Sequence, residues 1–512
     1  MNRKLIALCA VALLSTGAAA FSQAFNPGDL VISTVENVDP GAASENSLDT
    51  ASPIILDDFI LSNSGSTATA DGSLTLPQTS SGNNSAISGE YGSASEGILQ
   101  DSVNGNYLTI MGYGVNANDF NTGGAAVYGT TALGQTTSLL STTGSTAVPR
   151  VVALIGASGS VDTSTAIYNV FNGNNPRSAA TVDGSSFYIS GQGASEGDST
   201  EGVFYALDGA SSATPIDASS DTRVVSIINN GSGNTLYVSR DVKPASGANN
   251  FTNVSTLTNA SGGLPLSSSG LVTTHITPPA SPLSSGANNG SINLTAALGN
   301  GINNVAGAQT VNGSPIASSS ATSRVGSFVY LSPEQYFLAS PTVMYVTDSG
   351  EPKNGNTDKA AEGEGGLQKW VLTSGAWTLD YDLVAGLSLV NNDQENASAN
   401  TSGGITGLFG LTGEVIDGGS KVELFATSYG LNELSQSYLY SITDTVADTT
   451  ISQATTDDGS FSTLYTAAAG TDIRGVAFAP VAAVPEPGTW GTVLGGLGIL
   501  LACGRARRRS SR

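Results

Sequence analysis

The segment from Asp348 to Gly366 is the part of the sequence best suited to bind a metal ion. Calcium takes roughly six to eight oxygen ligands, and carboxylate and amide side chains supply them. The candidate ligands are Asp348, Glu351, Asn354, Asn356, Asp358, Glu362 and Glu364. Their spacing matches neither an EF-hand nor a calcium-binding nonapeptide repeat, and two lysines compete for the carboxylates. The sequence therefore favours a solvated loop over a calcium site, and Ca²⁺ is the one cofactor that it suggests.

Three pairs of neighbouring aspartates could supply the acid and base of a glycoside hydrolase. They are Asp57 with Asp58, Asp380 with Asp382, and Asp457 with Asp458. The aromatic residues Trp370, Trp377 and Tyr381 could stack on sugar rings. The structural alternative for the aspartate pairs is that they lie on exposed turns. The alternative for the aromatic residues is that they fill the space between sheets. The hydrolase hypothesis therefore requires carboxylates that converge across a cleft.

A serine at position 195 lies in a Gly-x-Ser-x-Gly pattern, Gly193 to Gly197. A nucleophilic serine in this pattern needs a strand before it and a helix after it. Here the chain leads directly into another predicted strand, and Ser-Glu-Gly recurs at residues 95–97. The pattern therefore predicts a β-turn.

The remaining chemistry of the chain is limited by its composition. His275 is the one histidine, and the two cysteines, Cys9 and Cys503, both lie in the terminal segments. The body thus has no cysteine or histidine-rich metal site and little basis for a Ser-His-Asp triad. The formal net charge of −23 argues against nucleic acid as a partner. We assign no catalytic residue from the sequence.

The elements that would position these residues are short strands that follow tight turns. The clearest strands are Tyr107–Tyr113, Phe187–Gly191, Leu236–Ser239, Met344–Asp348 and Val422–Thr427, with partners at Gly202–Ala206, Gly366–Val371 and Tyr438–Ile442. Such units recur without helical periodicity, which predicts an all-β protein with a β-propeller of six or seven blades. A parallel β-helix and tandem β-sandwiches are the alternatives. We expect residues 281–320 to form a long neutral insertion.

Particular strands suggest how the ring is built. We expect Leu30 to Ser33 to close the ring beside the last blade, and Arg150–Ile155 and Arg223–Ile227 to be equivalent strands of consecutive units. Arg474 lies in a predicted strand, where it would form a buried ion pair or point into a central channel.

Both ends of the chain predict export. Arg3 and Lys4 precede an apolar run and a small-residue exit, which is typical of a signal peptide at residues 1–24. We expect cleavage after Ala24, with Ala20 as the second choice. A body at residues 25–480 is followed by a linker at 481–488, an apolar transmembrane helix at 489–504 and a basic cytoplasmic tail at 505–512.

The C-terminal segment resembles the PEP-CTERM sorting tail of bacterial surface proteins. The resemblance is based on Pro485, Glu486 and Pro487, on the apolar run after them, and on Arg505, Arg507, Arg508 and Arg509. It implies an exosortase-type processing enzyme as a partner and a location at the cell envelope, with the chain membrane-anchored at least transiently.

The body resembles exported bacterial propeller-like proteins without an assigned activity. The matching phrases are Gly28–Ser33, Ser95–Leu99, Gly365–Trp370, Gly403–Gly407 and Ile473–Pro480. We therefore expect a surface or matrix scaffold that contacts polysaccharide or another surface protein. The alternative is an extracellular hydrolase or lyase acting on polysaccharide or ester, with carboxylates in the propeller channel.

Overall fold

The structure is a computed structural model, and most of the residues that it describes belong to β-strands. The described residues are 25–37, 49–93, 95–195, 197–218, 221–229, 231–240, 253–277, 333–349, 365–389, 405–430, 436–456 and 459–482, with short strands at 291–292, 310–311, 314–315 and 329–330.

The strands of the first half of the chain are β1 (Leu30–Glu36), β2 (Thr50–Ser62), β3 (Thr67–Thr75), β4 (Ser88–Tyr91), β5 (Gln100–Asp101), β6 (Tyr107–Tyr113), β7 (Arg150–Gly156), β8 (Val161–Ile167), β9 (Pro176–Ala180), β10 (Ser186–Gly191), β11 (Gly202–Leu207), β12 (Thr214–Ala218), β13 (Thr222–Asn229), β14 (Asn234–Arg240), β15 (Asn253–Thr258) and β16 (Val272–Thr277). Those of the second half are β17 (Ser291–Ile292), β18 (Thr310–Val311), β19 (Ser314–Pro315), β20 (Val329–Tyr330), β21 (Pro333–Ser340), β22 (Val343–Asp348), β23 (Leu367–Thr373), β24 (Ala376–Leu383), β25 (Ile405–Ile416), β26 (Lys421–Gly430), β27 (Tyr438–Thr445), β28 (Ser462–Thr466) and β29 (Thr471–Phe478).

Short helical segments interrupt the strands. Helix α1 (Ala117–Tyr128) lies between β6 and β7, α2 (Ile451–Thr456) lies between β27 and β28, and a 3-10 turn (Asp417–Gly419) joins β25 to β26. The side chain of Asn116 caps the start of α1 by accepting from the N–H of Asp119 at 3.0 Å, and Phe120 anchors the helix in the core.

The sheets are antiparallel and mostly contain strands that are consecutive in the chain. Four-stranded sheets are formed by β9–β12, β13–β16, β21–β24 and β25–β28. A nine-stranded sheet has the order β29-β1-β2-β4-β6-β7-β8, with β3 paired to β2 and β5 paired to β6. The innermost strands contact one another in the cycle β29, β5, β9, β13, β21, β25 and back to β29. The protein is therefore all-β with a propeller-like arrangement around a central channel, as the strand pattern predicted.

The N-terminal strand closes this cycle on the last strand of the chain. Strand β1 pairs antiparallel with β29, with Leu30 opposite Phe478 and Val35 opposite Asp472. The N–H of Ala479 extends the contact by donating to the carbonyl of Asp29 at 2.8 Å. The expectation that the segment beginning at Leu30 closes the ring is thus confirmed.

Bulges recur where the innermost strand of a sheet meets the second strand. Opposite Ser33, Ser239, Thr347 and Thr427, two residues of the inner strand face one residue of its neighbour. A bulge leaves an N–H without a ladder partner. The hydroxyl of the facing serine or threonine accepts it, at distances between 2.8 and 3.0 Å.

The same hydroxyls bond to the next inner strand of the cycle. Each donates to a backbone carbonyl in that strand or, for Ser33, just before it, and Thr109 of β6 and Ser190 of β10 do the same. The pairs are Ser33 to Gly97 at 2.6 Å, Thr109 to Ala179 at 2.7 Å, Ser190 to Arg223 at 2.8 Å, Ser239 to Glu334 at 2.5 Å, Thr347 to Phe409 at 2.7 Å and Thr427 to Arg474 at 2.5 Å. Within the described chain, these six bonds form a closed cycle around the channel.

Apolar cores fill the space between neighbouring sheets. Alternate residues of a strand point to opposite faces, so Leu236 and Val238 pack toward β10 and β11, while Tyr237 packs toward β22 and β23. Burial of this apolar surface is the main stabilising force, at roughly 25 cal/mol per Å².

Two sequence expectations differ from the structure. Helix α1 was not predicted, because Gly123 and Gly124 interrupt its apolar pattern and Gly124 breaks the helical geometry with a φ of +43°. Arg150–Ile155 and Arg223–Ile227 are not equivalent, because β7 lies within its sheet between β6 and β8 whereas β13 is an innermost strand.

Candidate functional site

The central channel is the candidate site, and it contains a cavity of about 320 Å³ at one end. The cavity lies toward the ends of the innermost strands. It is lined by Leu99–Val103, Ser226–Asn229, Gln335–Leu338, Leu411–Gly413 and Val476–Phe478. Apolar and neutral polar residues dominate this lining, and Asp101 is the one carboxylate in it. Asp101 is exposed to solvent at the cavity, and desolvation by the surrounding strands raises its pKa to about 7.

Gln100 connects the channel walls beside this cavity. Its amide donates to the carbonyl of Ala179 at 2.9 Å and to that of Val225 at 2.7 Å, so it joins β5 to both β9 and β13. Its carbonyl oxygen accepts from the hydroxyl of Ser226. The side chain is 6% exposed. Its hydrogen-bonding capacity is therefore used to hold three inner strands together.

Buried ion pairs lie toward the starts of the innermost strands. Arg177 pairs with Asp221, Arg240 with Asp217, Arg223 with Glu334 at 3.9 Å, and Arg474 with Asp472 at 3.3 Å. Arg223, Glu334 and Arg474 are bulge residues, and a bulge re-aims its side chain. Two pairs, Arg240 with Asp217 and Arg223 with Glu334, join strands of different sheets. A third joins Arg177 of β9 to Asp221, the residue just before β13. The ion pair between Arg474 and Asp472 confirms the prediction that Arg474 forms a buried ion pair.

A pair of buried glutamates lies close to these arginines. The N–H of Glu90 donates to Glu96 at 2.5 Å, and the hydroxyl of Tyr113 donates to the other oxygen of Glu96 at 2.9 Å. Arg150 lies over the ring of Tyr113, 4.7 Å from its centre. Burial raises the pKa of Glu96 to about 7, and burial with repulsion from Glu96 raises the pKa of Glu90 well above its usual range. Such a pair can hold a proton near neutral pH.

Of the predicted calcium ligands, the structure describes Asp348. It lies at the end of β22, is 3% exposed, and accepts from the amide of Gln368 at 2.5 Å. Its charge raises the pKa of Asp382, which burial already raises. The other predicted ligands lie outside the described residues, so this site stays a prediction; they are Glu351, Asn354, Asn356, Asp358, Glu362 and Glu364.

The paired aspartates do not form one site. Asp57 and Asp58 are adjacent in β2; Asp57 accepts from the hydroxyl of Thr34 at 3.0 Å, whereas Asp58 is fully buried on the other face. Asp380 and Asp382 both belong to β24, and only Asp382 neighbours Asp348. Asp457 and Asp458 lie outside the described residues.

The predicted aromatic platform is mostly buried. Trp370 is 1% exposed and Tyr381 is 2% exposed, in two different cores between sheets, and Trp377 packs partly buried beside Trp370. Trp370 and Tyr381 therefore fill the space between sheets, the structural alternative to sugar binding.

Ser195 lies in an exposed turn between β10 and β11, where its carbonyl accepts from the N–H of Asp198 at 3.0 Å. This confirms the predicted β-turn, and no helix follows it. Strand β16 contains the histidine at position 275.

The sorting tail and the signal peptide lie outside the described residues. These include Pro485, Glu486, Pro487 and the arginines at 505 and 507–509. Within the described ranges, the structure has no helix of the length and apolarity needed to span a membrane.

Sequence analysis missed Asp101, Gln100 and the glutamate pair. The only sequence signal for Glu96 is its place in the Ser-Glu-Gly phrase, which predicts a turn. These residues come together through contacts between distant parts of the chain, so no local spacing marks them.

The chain matches no protein-family model and no curated protein. Among solved structures, it is similar to the periplasmic gluconolactonase PpgL of Pseudomonas aeruginosa, with 12% identity and a TM-score of 0.36 over 89% of this chain and 100% of that one. It is also similar to a variant of the apocarotenoid oxygenase of Synechocystis, with 10% identity and a TM-score of 0.35 over 90% of this chain and 94% of that one. Similarity at this level is no basis for assigning the activity of either protein to this chain.

Proposed function

We propose that this chain is an exported protein that displays a rigid propeller at the cell envelope as a structural or interaction scaffold. The signal peptide at residues 1–24 and the tail from Pro485 support export and sorting by an exosortase-type enzyme. The apolar segment 489–504 would hold the chain in the membrane at least transiently, with the body outside.

The propeller has six blades in this proposal. The nine-stranded sheet then counts as two blades, one formed by β29, β1, β2 and β3 and the other by β4 to β8. The six hydroxyl bonds from Ser33, Thr109, Ser190, Ser239, Thr347 and Thr427 support this count, because each would join one blade to the next.

The scaffold proposal rests on one observation: the polar side chains of the channel bond to other strands of the protein. A catalytic channel would direct several acids toward a bound substrate. Here the cavity contains one carboxylate, Asp101, and Gln100 binds backbone groups of two other sheets. The charged residues toward the other end pair with one another across sheets. These interactions favour a channel that holds blades together.

The partner is matrix polysaccharide or another surface protein rather than nucleic acid. The net charge of −23 opposes binding to a phosphate backbone, and this repulsion acts over the whole surface.

A binding experiment tests the scaffold function. The purified full chain is incubated with the extracellular polysaccharide of the producing cells, and bound protein and polymer length are measured together. Retention on the polymer without any shortening of it supports the scaffold. Shortening that disappears in Glu96→Gln or Asp101→Asn would instead support an enzyme.

A hydrolase or lyase acting on polysaccharide or ester is the second candidate, and the glutamate pair favours it. The backbone N–H of Glu90 donates to the carboxylate of Glu96, and burial raises the pKa of both carboxyl groups, as a general acid requires. Both are at most 5% exposed, so a substrate would have to reach them through a rearranged channel end. Activity in the wild type that is lost in Glu96→Gln, with the fold retained, is the expected result for this candidate.

A further inference from the structure

Three carboxylates converge where the ring closes, on the sheet that contains β1, β2 and β3. One oxygen each from Asp29, Asp58 and Asp71 lies within 4.8 Å of the others. Oxygen ligands on opposite sides of a calcium ion, each about 2.4 Å from it, are separated by about 4.8 Å. The spacing therefore fits one ion shared by the three side chains.

Local structure explains why these side chains meet. Asp29 ends a turn in which its N–H donates to the carbonyl of Asn26 at 3.1 Å, and Gly28 allows that turn with a φ of +92°. Asp58 lies in β2. In the pairing of β2 with β3, Asp58 faces Gly72 and the next residue faces Ala70, so Asp71 is the extra residue of a bulge. The bulge places Asp71 beside Asp58.

The second observation is the state of Asp58. Its side chain is fully buried, and neither carboxylate oxygen accepts a hydrogen bond of normal geometry, the nearest donor being the N–H of the adjacent Phe59. Burying an ionised carboxylate without a hydrogen bond or a counter-charge is strongly unfavourable. Within the described chain, neither Asp29 nor Asp58 forms an ion pair with a basic side chain. A cation would supply the missing charge.

Asn26 adds a fourth side chain to the site. Its amide nitrogen lies 3.1 Å from an oxygen of Asp29 and 3.0 Å from an oxygen of Asp71. Rotation of the amide by half a turn would put its carbonyl oxygen in the same place. Asp71 is exposed, so an ion can enter from solvent past it while Asp29 and Asp58 hold it from the buried side.

We propose that Asp29, Asp58 and Asp71, with Asn26, form a binding site for a divalent cation of calcium type that fastens the closure of the ring. Asp29 links the site to the closure directly, because its carbonyl accepts from the N–H of Ala479 after β29. The site is separate from the segment at Asp348–Gly366, and it does not depend on the proposed scaffold function.

Calcium titration of the full chain tests this site. Isothermal calorimetry and thermal unfolding are measured in EDTA and in CaCl₂ up to 10 mM, since extracellular calcium sites bind at roughly 0.1–1 mM. We expect one equivalent of Ca²⁺ to bind and to raise the Tm by about 2–4 °C. If the wild type shows neither a heat of Ca²⁺ binding nor a Tm shift, the proposed site is wrong.

Matched variants locate the ion. In Asp58→Asn the Ca²⁺ shift should disappear while the Tm in EDTA equals or exceeds that of the wild type, because an unpartnered buried charge is removed. Asp71→Asn should weaken binding at least tenfold. Glu414→Gln, an exposed acid of β25, and Asp348→Asn should keep the shift. A shift retained in Asp58→Asn and lost in Asp348→Asn would overturn the proposal and assign the ion to the other segment.

Discussion

The hydroxyl of Thr427 donates to the carbonyl of Arg474 at 2.5 Å, and this bond joins β26 to the last strand of the chain. The same hydroxyl accepts the N–H of Gly410 at 2.8 Å, which the bulge in β25 leaves outside the ladder. One side chain therefore satisfies two buried backbone groups of different strands. Each bulge leaves a backbone N–H that a hydroxyl must accept, and the bulges also orient the side chains of Arg223 and Arg474.

Replacing Thr427 by valine tests this role. Valine keeps the shape of threonine but leaves the N–H of Gly410 and the carbonyl of Arg474 unsatisfied. We expect a loss of about 1–3 kcal/mol in the free energy of unfolding, measured by denaturant titration. The exposed Thr69 of β3 is the control, since Thr69→Val should change stability by less than about 0.5 kcal/mol. Equal effects of the two variants would contradict a stabilising role for the hydroxyl.

The ion pair of Lys369 and Asp444 predicts a large effect of a single substitution. The two groups are 2.9 Å apart and fully buried between β23 and β27, and Tyr381 donates to the same carboxylate at 2.8 Å. Asp444→Leu leaves a buried ammonium without its partner, so we expect a loss of about 3–5 kcal/mol in the free energy of unfolding.

The double variant Lys369→Met/Asp444→Leu is the control for that experiment. It removes both charges and should recover most of the lost stability, because apolar groups of similar volume can replace a buried pair. A double variant as unstable as the single one would show that packing, or the loss of the acceptor for the hydroxyls of Tyr345 and Tyr381, and not the unpaired charge, causes the loss.

The buried carboxylate of Glu201 predicts a dependence of stability on pH. Burial, with repulsion from Asp221, raises the pKa of Glu201 to about 7. The folded state then holds a proton that the unfolded state releases near pH 4.5. Stability from this group is therefore fully present below about pH 4.5 and is lost as the pH rises through about 7. Glu201→Gln should be more stable than the wild type at pH 8, by about 1–3 kcal/mol, and show no such gain at pH 4. An equal effect at both pH values would contradict the shifted pKa.

The predicted cleavage after Ala24 gives a prediction for the mature chain. Phe25 is 4% exposed, and its N–H lies 3.0 Å from the carbonyl of Ala157. We expect the protein isolated from its own cells to begin at Phe25, as measured by the mass of its N-terminal peptide. A chain that begins at residue 1 would contradict export through this signal, and one that begins at residue 21 would assign cleavage to Ala20.

Local patterns were enough to predict the strands but not the site. Alternating aromatic and β-branched residues identify Tyr107–Tyr113 correctly as β6, because each strand carries its own apolar periodicity. The bulges and hydroxyl bonds depend on contacts between residues as distant as Ser33 and Gly475. Asp29, Asp58 and Asp71 likewise meet only through strand pairing and a bulge. Sequence spacing carries no signal for such contacts.

The most direct test of the account is the location of the protein on intact cells. Antibodies against the purified chain are applied to whole cells expressing the wild type or Glu486→Ala, and cell fractions are compared in parallel. The account predicts surface labelling and extracellular protease sensitivity for the wild type, with Glu486→Ala retained unprocessed in the membrane fraction. Wild-type protein that is protected in intact cells and recovered in the cytoplasm would contradict it.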